Sequence, residues 1–402
     1  MNLPSWLKES SVYLAVFAVA AALPTYLWRF KIGPIPATAL ELVILAAIAV
    51  LIVHLTHPVL SLNKNGGAAE QFGKNKLLAV GAGLIALATA IGVIVSPDKQ
   101  GALGIAKAYF WEPMLLAALI IAARPDKEKL WRACLAGLAA SALVVVIYSL
   151  LQYTHPALIP ATWTAERRIT SVFDFPNAAA LYLAPLLPLF LSSPVAIALS
   201  AFSVLVTVLA KSAGGIIAMA AAIFFLGVWK KKTRTAIVLL AIAGAAAVFF
   251  LPAAAGVREQ LLMRDWSGRV HQIGWKESLA MLKDHPLFGA GLDGFRTAVA
   301  PYHHAQGVEI FQYPHNLFLA VWSELGLLGL AGFALIFIWY FKNGLAKPAP
   351  SPYQGENEKM RAINIILVAS MIAVLVHGLV DVPYFKNDLA MMFWLFIILM
   401  AR

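Results

Sequence analysis

The chain has 402 residues, 61% of them hydrophobic and only 13% charged, against roughly 25% charged in soluble domains. That composition excludes a soluble globular enzyme. Lysine and arginine outnumber the acids 31 to 20, but in a membrane chain such an excess sets topology and meets anionic lipid rather than nucleic acid.

A single cysteine, Cys134, rules out an internal disulfide. At the N-terminus Lys8 precedes an apolar run in the manner of a signal peptide. No small-residue cleavage site follows, and Leu23 to Trp28 continue into an aromatic interface, so the run reads as a retained first span. Because a span needs about 20 mainly apolar residues, helices are predicted near 12–28, 35–55, 77–95, 102–123, 131–153, 177–191, 195–210, 214–229, 235–251, 315–341, 361–380 and 388–401. The expected fold is an all-α integral membrane protein of about twelve transmembrane helices. Spans 1 to 9 occupy residues 1–251, a large helical external loop occupies 252–314, and spans 10 to 12 occupy 315–402. The spans at 177–191 and 195–210 are short, and Pro185 and Pro188 interrupt the first of them.

One alternating set of loops gathers Lys64, Lys74, Lys76, Arg124, Lys127, Lys129, Arg132, Lys230, Lys231, Lys232, Arg234, Lys342, Lys347, Lys359 and Arg361, with Lys8 and Arg402 at the ends. The short loops of the other set hold only Arg29, Lys31, Lys99, Arg167, Arg168, Lys211 and Lys386. The positive-inside rule then puts both termini in the cytoplasm and the 252–314 segment on the outer face. In that segment Ser267 is the expected cap of a helix whose Val270, Ile273, Leu279 and Leu282 recur at helical spacing, and Asp284-His285-Pro286 ends it. Gly289, Gly291 and Gly294 form a tight loop. Their Gly-x-Gly-x-x-Gly spacing is a weak nucleotide signal, and it follows a helix on the outer face, so a nucleotide site is rejected.

Ionisable side chains beside spans are costly and are functional candidates by default. On the outer side these are Arg167, Arg168, Lys211, Arg269, Lys276, Arg296, His315 and Asp381. Arg269 lies seven residues before Lys276 and shares its helix face. A cluster of this kind suits a polyanionic ligand at the bilayer surface, since arginine forks take phosphate oxygens in pairs; the plainer reading is snorkelling to lipid head groups. His315 follows Pro314 and opens an apolar helix, where the positive end of the helix dipole favours a neutral ring suited to a general base. Asn316 is the natural cap of that helix. The external carboxylates are scattered and no cysteine pair exists, so no metal and no cofactor are expected, and arginines would have to neutralise a phosphate leaving group. Lys107 and Glu112 are read as a structural pair within the spans.

The order Arg269, Trp275, Asp284-His-Pro-Leu-Phe-Gly-Ala-Gly-Leu, then Pro314-His315-Asn316-Leu and Glu324-Leu-Gly-Leu-Leu-Gly, resembles the O-antigen ligase and O-antigen polymerase superfamily of bacterial envelope glycosyltransferases. Arg168 to Asn177, the Ala210-Lys211-Ser212 junction and His377-Gly-Leu-Val-Asp381-Val-Pro383 look like further landmarks, so the likeness covers most of residues 165–385. At the junction the family usually has Ser-Arg. Lys211 keeps the charge and loses the fork.

The resemblance implies an inner-membrane, multi-pass enzyme that takes a glycan from undecaprenyl pyrophosphate on the periplasmic face and passes it to an acceptor hydroxyl with inversion. Neither metal nor nucleotide is implied. It further implies that Arg168, Lys211 and Arg269 hold the pyrophosphate and that His315 deprotonates the acceptor, with Arg296, Lys276, Asn316 and Asp381 as further binding residues. One large external loop favours a ligase with a lipid A-core acceptor. A polymerase or a protein O-oligosaccharyltransferase would share the donor. A secondary transporter, suggested by the short Pro-interrupted spans, predicts mid-span ionisable residues, which are nearly absent.

Overall fold

The computed structural model describes residues 5–33, 35–56, 75–252, 255–346 and 354–401. Lys64, Lys74, Lys347 and Arg402 of the basic loops lie outside them, as does the side chain of Lys8. The described chain is helical apart from one hairpin, so the all-α membrane reading holds.

The helices begin with α1 (Ser5–Ala21), α2 (Ala39–Thr56), α3 (Lys76–Val95), α4 (Lys99–Ala123) and α5 (Lys127–Thr154). They continue with α6 (Pro176–Leu191), α7 (Ile197–Leu209), α8 (Ala213–Trp229) and α9 (Lys231–Phe250). The segment that follows carries α10 (Ala255–Leu261), α11 (Trp266–Asp284) and α12 (Phe295–Val299), and α13 (Leu317–Leu345), α14 (Gln354–His377) and α15 (Asn387–Met400) close the chain. Each predicted span has its helix. Seven helices are long and apolar enough to cross a membrane, and α1, α6, α7, α8 and α15 contribute shorter apolar stretches. Every residue of α15 is buried and none of α9 is, so the bundle has a clear centre and periphery.

Local chemistry moves several boundaries. Residues 35–38 do not begin the second span: Arg29–Ile32 (β1) and Ile35–Thr38 (β2) pair antiparallel, with Arg29 opposite Thr38. Pro36, which has no N–H to donate, is tolerated because this two-stranded ribbon is all edge. Asp265, not Ser267, caps α11, its carboxylate accepting from the Gly268 amide at 3.0 Å. Lys107 does not pair with Glu112. It reaches Glu41 of α2 at 2.7 Å and the Pro36 carbonyl at 2.8 Å, across a π-helical turn at Ala106–Trp111. Lys386, counted among the loop cations, is half-buried against Asp388 at 3.3 Å, its ammonium 4.2 Å from the Phe173 ring centroid.

α3 and α13 run close because glycine faces glycine: a Cβ on Gly81 would stand 2.8 Å from the Gly332 carbonyl, and one on Gly332 would stand 2.8 Å from the Gly81 carbonyl. Farther along, α13 breaks at Gly326, at φ 66° and ψ −169°. The loop after α11 fills the break. Leu327 N donates to the Leu287 carbonyl (3.0 Å), Ala290 N to the Ser323 carbonyl (2.6 Å) and Asp293 N to the Glu324 carboxylate (2.6 Å). Leu292 N donates to Gly92 of α3 (3.1 Å). This docking holds α11 over the end of the bundle where α13 begins.

Gly326→Ala puts a side chain on a left-handed residue and a Cβ 2.1 Å from the Leu287 carbonyl. The expected cost is about 2 kcal/mol or more, read as a lowered thermal midpoint in detergent. Gly244→Ala, with open space at its Cβ, is the control that leaves the midpoint in place or raises it.

Candidate active site

His315 lies two residues before α13. Asn316 caps that helix as the sequence predicts, its Oδ1 accepting from the amides of Phe318 and Leu319 at 3.0 Å each. Its Nδ2 donates to the Leu379 carbonyl at 3.0 Å, and the Leu317 amide donates to the Gly378 carbonyl at 2.7 Å. The start of α13 is thereby tied to the turn that follows α14, and this tie delivers Asp381 to His315.

The His315 Nδ1 is 3.5 Å from Asp381 Oδ1. Asp381 is buried and faces the imidazole. Its Oδ1 also accepts from the Val382 amide at 2.8 Å, and its Oδ2 accepts from Asn177 Nδ2 at 3.4 Å. Burial pushes the Asp381 carboxyl up, but the His315 hydrogen bond and charge, the nearby His377 and the Val382 amide outweigh it and hold it at about 2. The imidazole therefore answers to a carboxylate rather than to the helix dipole alone.

Two rings flank His315. His271 of α11 lies at 5.1 Å between centroids, and Phe311 meets the imidazole edge-on at 4.7 Å. Trp275, one turn along α11, stacks on His271 at 6.2 Å and donates its indole N–H to the His315 carbonyl at 3.3 Å. Burial, and next the neighbouring His315, lower the His271 pKa against the opposing pull of Asp381 and Asp265.

Asn177 links this pair to the cations. Arg168 donates one guanidinium N–H to Asn177 Oδ1 (3.1 Å) and another to the Ala210 carbonyl (3.0 Å), while its third nitrogen is 3.8 Å from Glu166. It also lies 5.1 Å over the Trp163 ring. Two of its five N–H donors thus tie two loops together. Lys211 is exposed, its Nζ donating to the Glu166 carbonyl at 2.7 Å. Arg167, a candidate cation to which the family resemblance gives no role, shares with Lys211 a cavity of about 240 Å³ whose other walls are Tyr153, Pro156, Ile159, Ile169, Val208 and Leu209. Gln152 fixes one side of this region, accepting from the amides of Thr170 (2.9 Å) and Ser171 (2.8 Å). Arg167 (φ 49°), Lys211 (φ 53°) and His315 (φ 48°) all take left-handed backbone, as do Arg124, Ser171, Met263 and Asp293 elsewhere in the chain.

Arg269, Lys276 and Arg296 are exposed. On α11, Arg269 lies about 160° around the helix from His271, with its guanidinium 6.0 Å over Trp266. Among the described residues no hydrogen bond or ion pair joins any of these three to His315, Lys211 or Arg168. The structure thus brings Arg168, Lys211, Asn316, Asp381 and His315 into one network and leaves these three cations outside it. Asn177, His271, Trp275 and Phe311 complete the network. Asn177 and Trp275 fall within the motifs the sequence offers, whereas nothing local marks Phe311 as a partner of His315.

Residues 198–334 match the family model described as O-Antigen ligase. That stretch is similar to the O-antigen ligase and polymerase superfamily. The matched stretch carries Lys211, Arg269, His315 and the Glu324–Gly326 break, while Arg168 and Asp381 fall outside it. Ligase and polymerase are not separated by this match. None of the curated proteins matches the chain. The apolar helices make this a multi-pass membrane protein, and the matched family is one of membrane enzymes of glycosyltransferase type, whose substrates in general are lipid-linked glycans and lipid acceptors.

Asp381, with its carboxyl held below the usual range, stabilises the fold fully above about pH 4, and this contribution fades as pH falls toward 2. Asp381→Asn should flatten the acid limb of the thermal-stability profile. An acid limb identical to that of the native protein would uncouple Asp381 from His315.

Proposed function

We propose that this chain is an inverting O-antigen ligase. It moves a glycan from undecaprenyl pyrophosphate to a hydroxyl of a lipid A-core sugar, on the periplasmic face of the bacterial inner membrane. The carrying observation is the His315–Asp381 pair, joined through Asn177 and Arg168 to the turn that presents Lys211 beside an apolar cavity. The excess of basic residues in the opposite loops supports cytoplasmic termini and an outward-facing site.

The chemistry follows from the geometry. Asp381 accepts the Nδ1–H of His315, which fixes the tautomer and leaves Nε2 with its lone pair as the base. The acceptor hydroxyl gives its proton to Nε2 while its oxygen forms a bond to the anomeric carbon on the face opposite the phosphate. The bond from that carbon to the phosphate oxygen breaks, and the configuration inverts. Undecaprenyl pyrophosphate leaves with the bonding pair, and its added charge is met by Lys211 and Arg167 at the mouth of the cavity, where the apolar walls suit the first isoprene units. Arg168 keeps the two loops in register. Arg269, Lys276 and Arg296, exposed on the covering segment, raise the positive potential along the approach of a polyanionic headgroup. Side-chain cations supply the neutralisation that a divalent ion provides in other enzymes of this kind of chemistry.

The ligase choice rests on the single long external segment. A polymerase or a protein O-oligosaccharyltransferase would use the same donor site and base with another acceptor. Purified protein in nanodiscs, given preassembled lipid-linked polymer and lipid A-core, should transfer the polymer to the core. Extension of lipid-linked repeat units with no core product would make it a polymerase instead. His315→Ala should lower turnover about 100-fold or more at normal protein level, and a wild-type rate would remove the base. The Arg167→Ala/Lys211→Ala pair should raise KM for the donor about tenfold or more and leave the acceptor KM unchanged.

A further inference from the structure

The strap from His303 to Gln312 passes over α11 and sets Phe311 against His315. Its ends are tied down: the Tyr302 hydroxyl hydrogen-bonds the Asp284 carboxylate at the end of α11, and the Gln312 side chain hydrogen-bonds Asp293. Between these ties one side chain fastens it. His303 Nδ1 is 3.0 Å from Glu277 Oε2 of α11, and its Nε2 is 2.9 Å from the Val308 carbonyl oxygen. A carbonyl and an ionised carboxylate only accept hydrogen bonds, and a neutral imidazole has a single N–H. Both contacts are satisfied together only by the imidazolium. Val308, Ile310 and Phe311 of the strap then close a small space against Gly274 and Phe295 beside His315.

We infer that His303 and Glu277 are positioning residues for the His315 base: the His303 imidazolium clamps the strap to α11 and thereby holds Phe311 as one wall of the imidazole. This role rests on the base assigned above, but the clamp itself has a readout that does not depend on activity. Glu277 is the charged group that faces His303, since the other contacts come from the carbonyls of Val308 and Ala305. The Glu277 hydrogen bond raises the His303 pKa; burial opposes it, and the Glu277 charge and both carbonyls reinforce it. A raised imidazole pKa makes the clamp complete below the ordinary imidazole range and undoes it as pH climbs through the raised value.

Amide hydrogen exchange of the full-length protein in nanodiscs, corrected for intrinsic rates, reads the clamp directly. His303→Ala and Glu277→Gln should each speed exchange across residues 304–312 about tenfold and leave α13 and α15 protected. In the native protein the same amides should loosen with rising pH, and in His303→Ala they should not. Exchange in both variants equal to native at every pH overturns the clamp, whatever His315→Ala does. In transfer assays His303→Ala should lower kcat with the donor KM unchanged and shift the alkaline limb of the kcat profile. A loosened strap with native kcat overturns the positioning role and leaves the base in place. Full activity of His315→Ala, with the strap still loosened by His303→Ala, removes the base and not the clamp.

Discussion

The docking of the glycine loop into the break of α13 is the constraint on which the site depends. Helix α13 loses its own hydrogen-bond continuity at Gly326, and the amides of Ala290, Asp293 and Leu327 find partners across the break. Glu324 is fully buried at this junction, with one carboxylate oxygen spent on the Asp293 amide. A backbone amide is a strong donor that is expensive to leave unmet away from water, so the break is tolerable only while the loop occupies it. The docked loop in turn sets the register of α11, and α11 carries His271 and Trp275 to His315. Glycine is required on both sides of the contact: Gly289 and Gly291 have positive φ, and any Cβ there would strike the backbone of Ser323 or Ser96.

A second tie complements the first. Asn316 and Leu317 bind the turn after α14, and that turn supplies Asp381. Asn177 and Arg168 extend the link to the loop before α6 and the Lys211 turn after α7. His315, its carboxylate partner and a pair of exposed cations thus come from segments far apart in sequence, each at a helix end, where irregular backbone costs least in a membrane protein. The left-handed backbone of Arg167, Lys211 and His315 indicates that surrounding contacts override local preference at the points where chemistry is proposed.

The helices were legible because each is an apolar run near the length that crosses a bilayer, and the cap at Asn316 because its residue type and place agree. The hairpin at 29–38 was not, since Ile35, Ala37 and Leu40 read as part of the run that follows and pairing depends on a partner strand. Ser267 looked like a cap, but Asp265 stands two residues earlier and wins the Gly268 amide. The cluster of cations was legible as a set and not as a geometry. Periodicity puts Arg269 and Lys276 on one face of α11 without saying which face turns inward, and it is the face of His271 that does. Arg168 reads as an open fork, and two of its donors go to Ala210 and Asn177, while Arg167 and Lys211 are the more exposed charges. Lys386 read as a surface cation, whereas it is half-buried beside Asp388. In each case the residue type was right and a long-range partner decided its role.

The central claim is that one site holds the lipid pyrophosphate and the base together. A cryo-electron microscopy structure in nanodiscs with a non-transferable glycosylated polyprenyl pyrophosphate tests it most directly. The account predicts the pyrophosphate within hydrogen-bond distance of Lys211 and Arg167, the first isoprene units among Ile159, Ile169, Val208 and Leu209, and the anomeric carbon on the Nε2 side of His315. A headgroup seated away from Lys211, or one whose sugar cannot bring an acceptor within reach of His315, would contradict it.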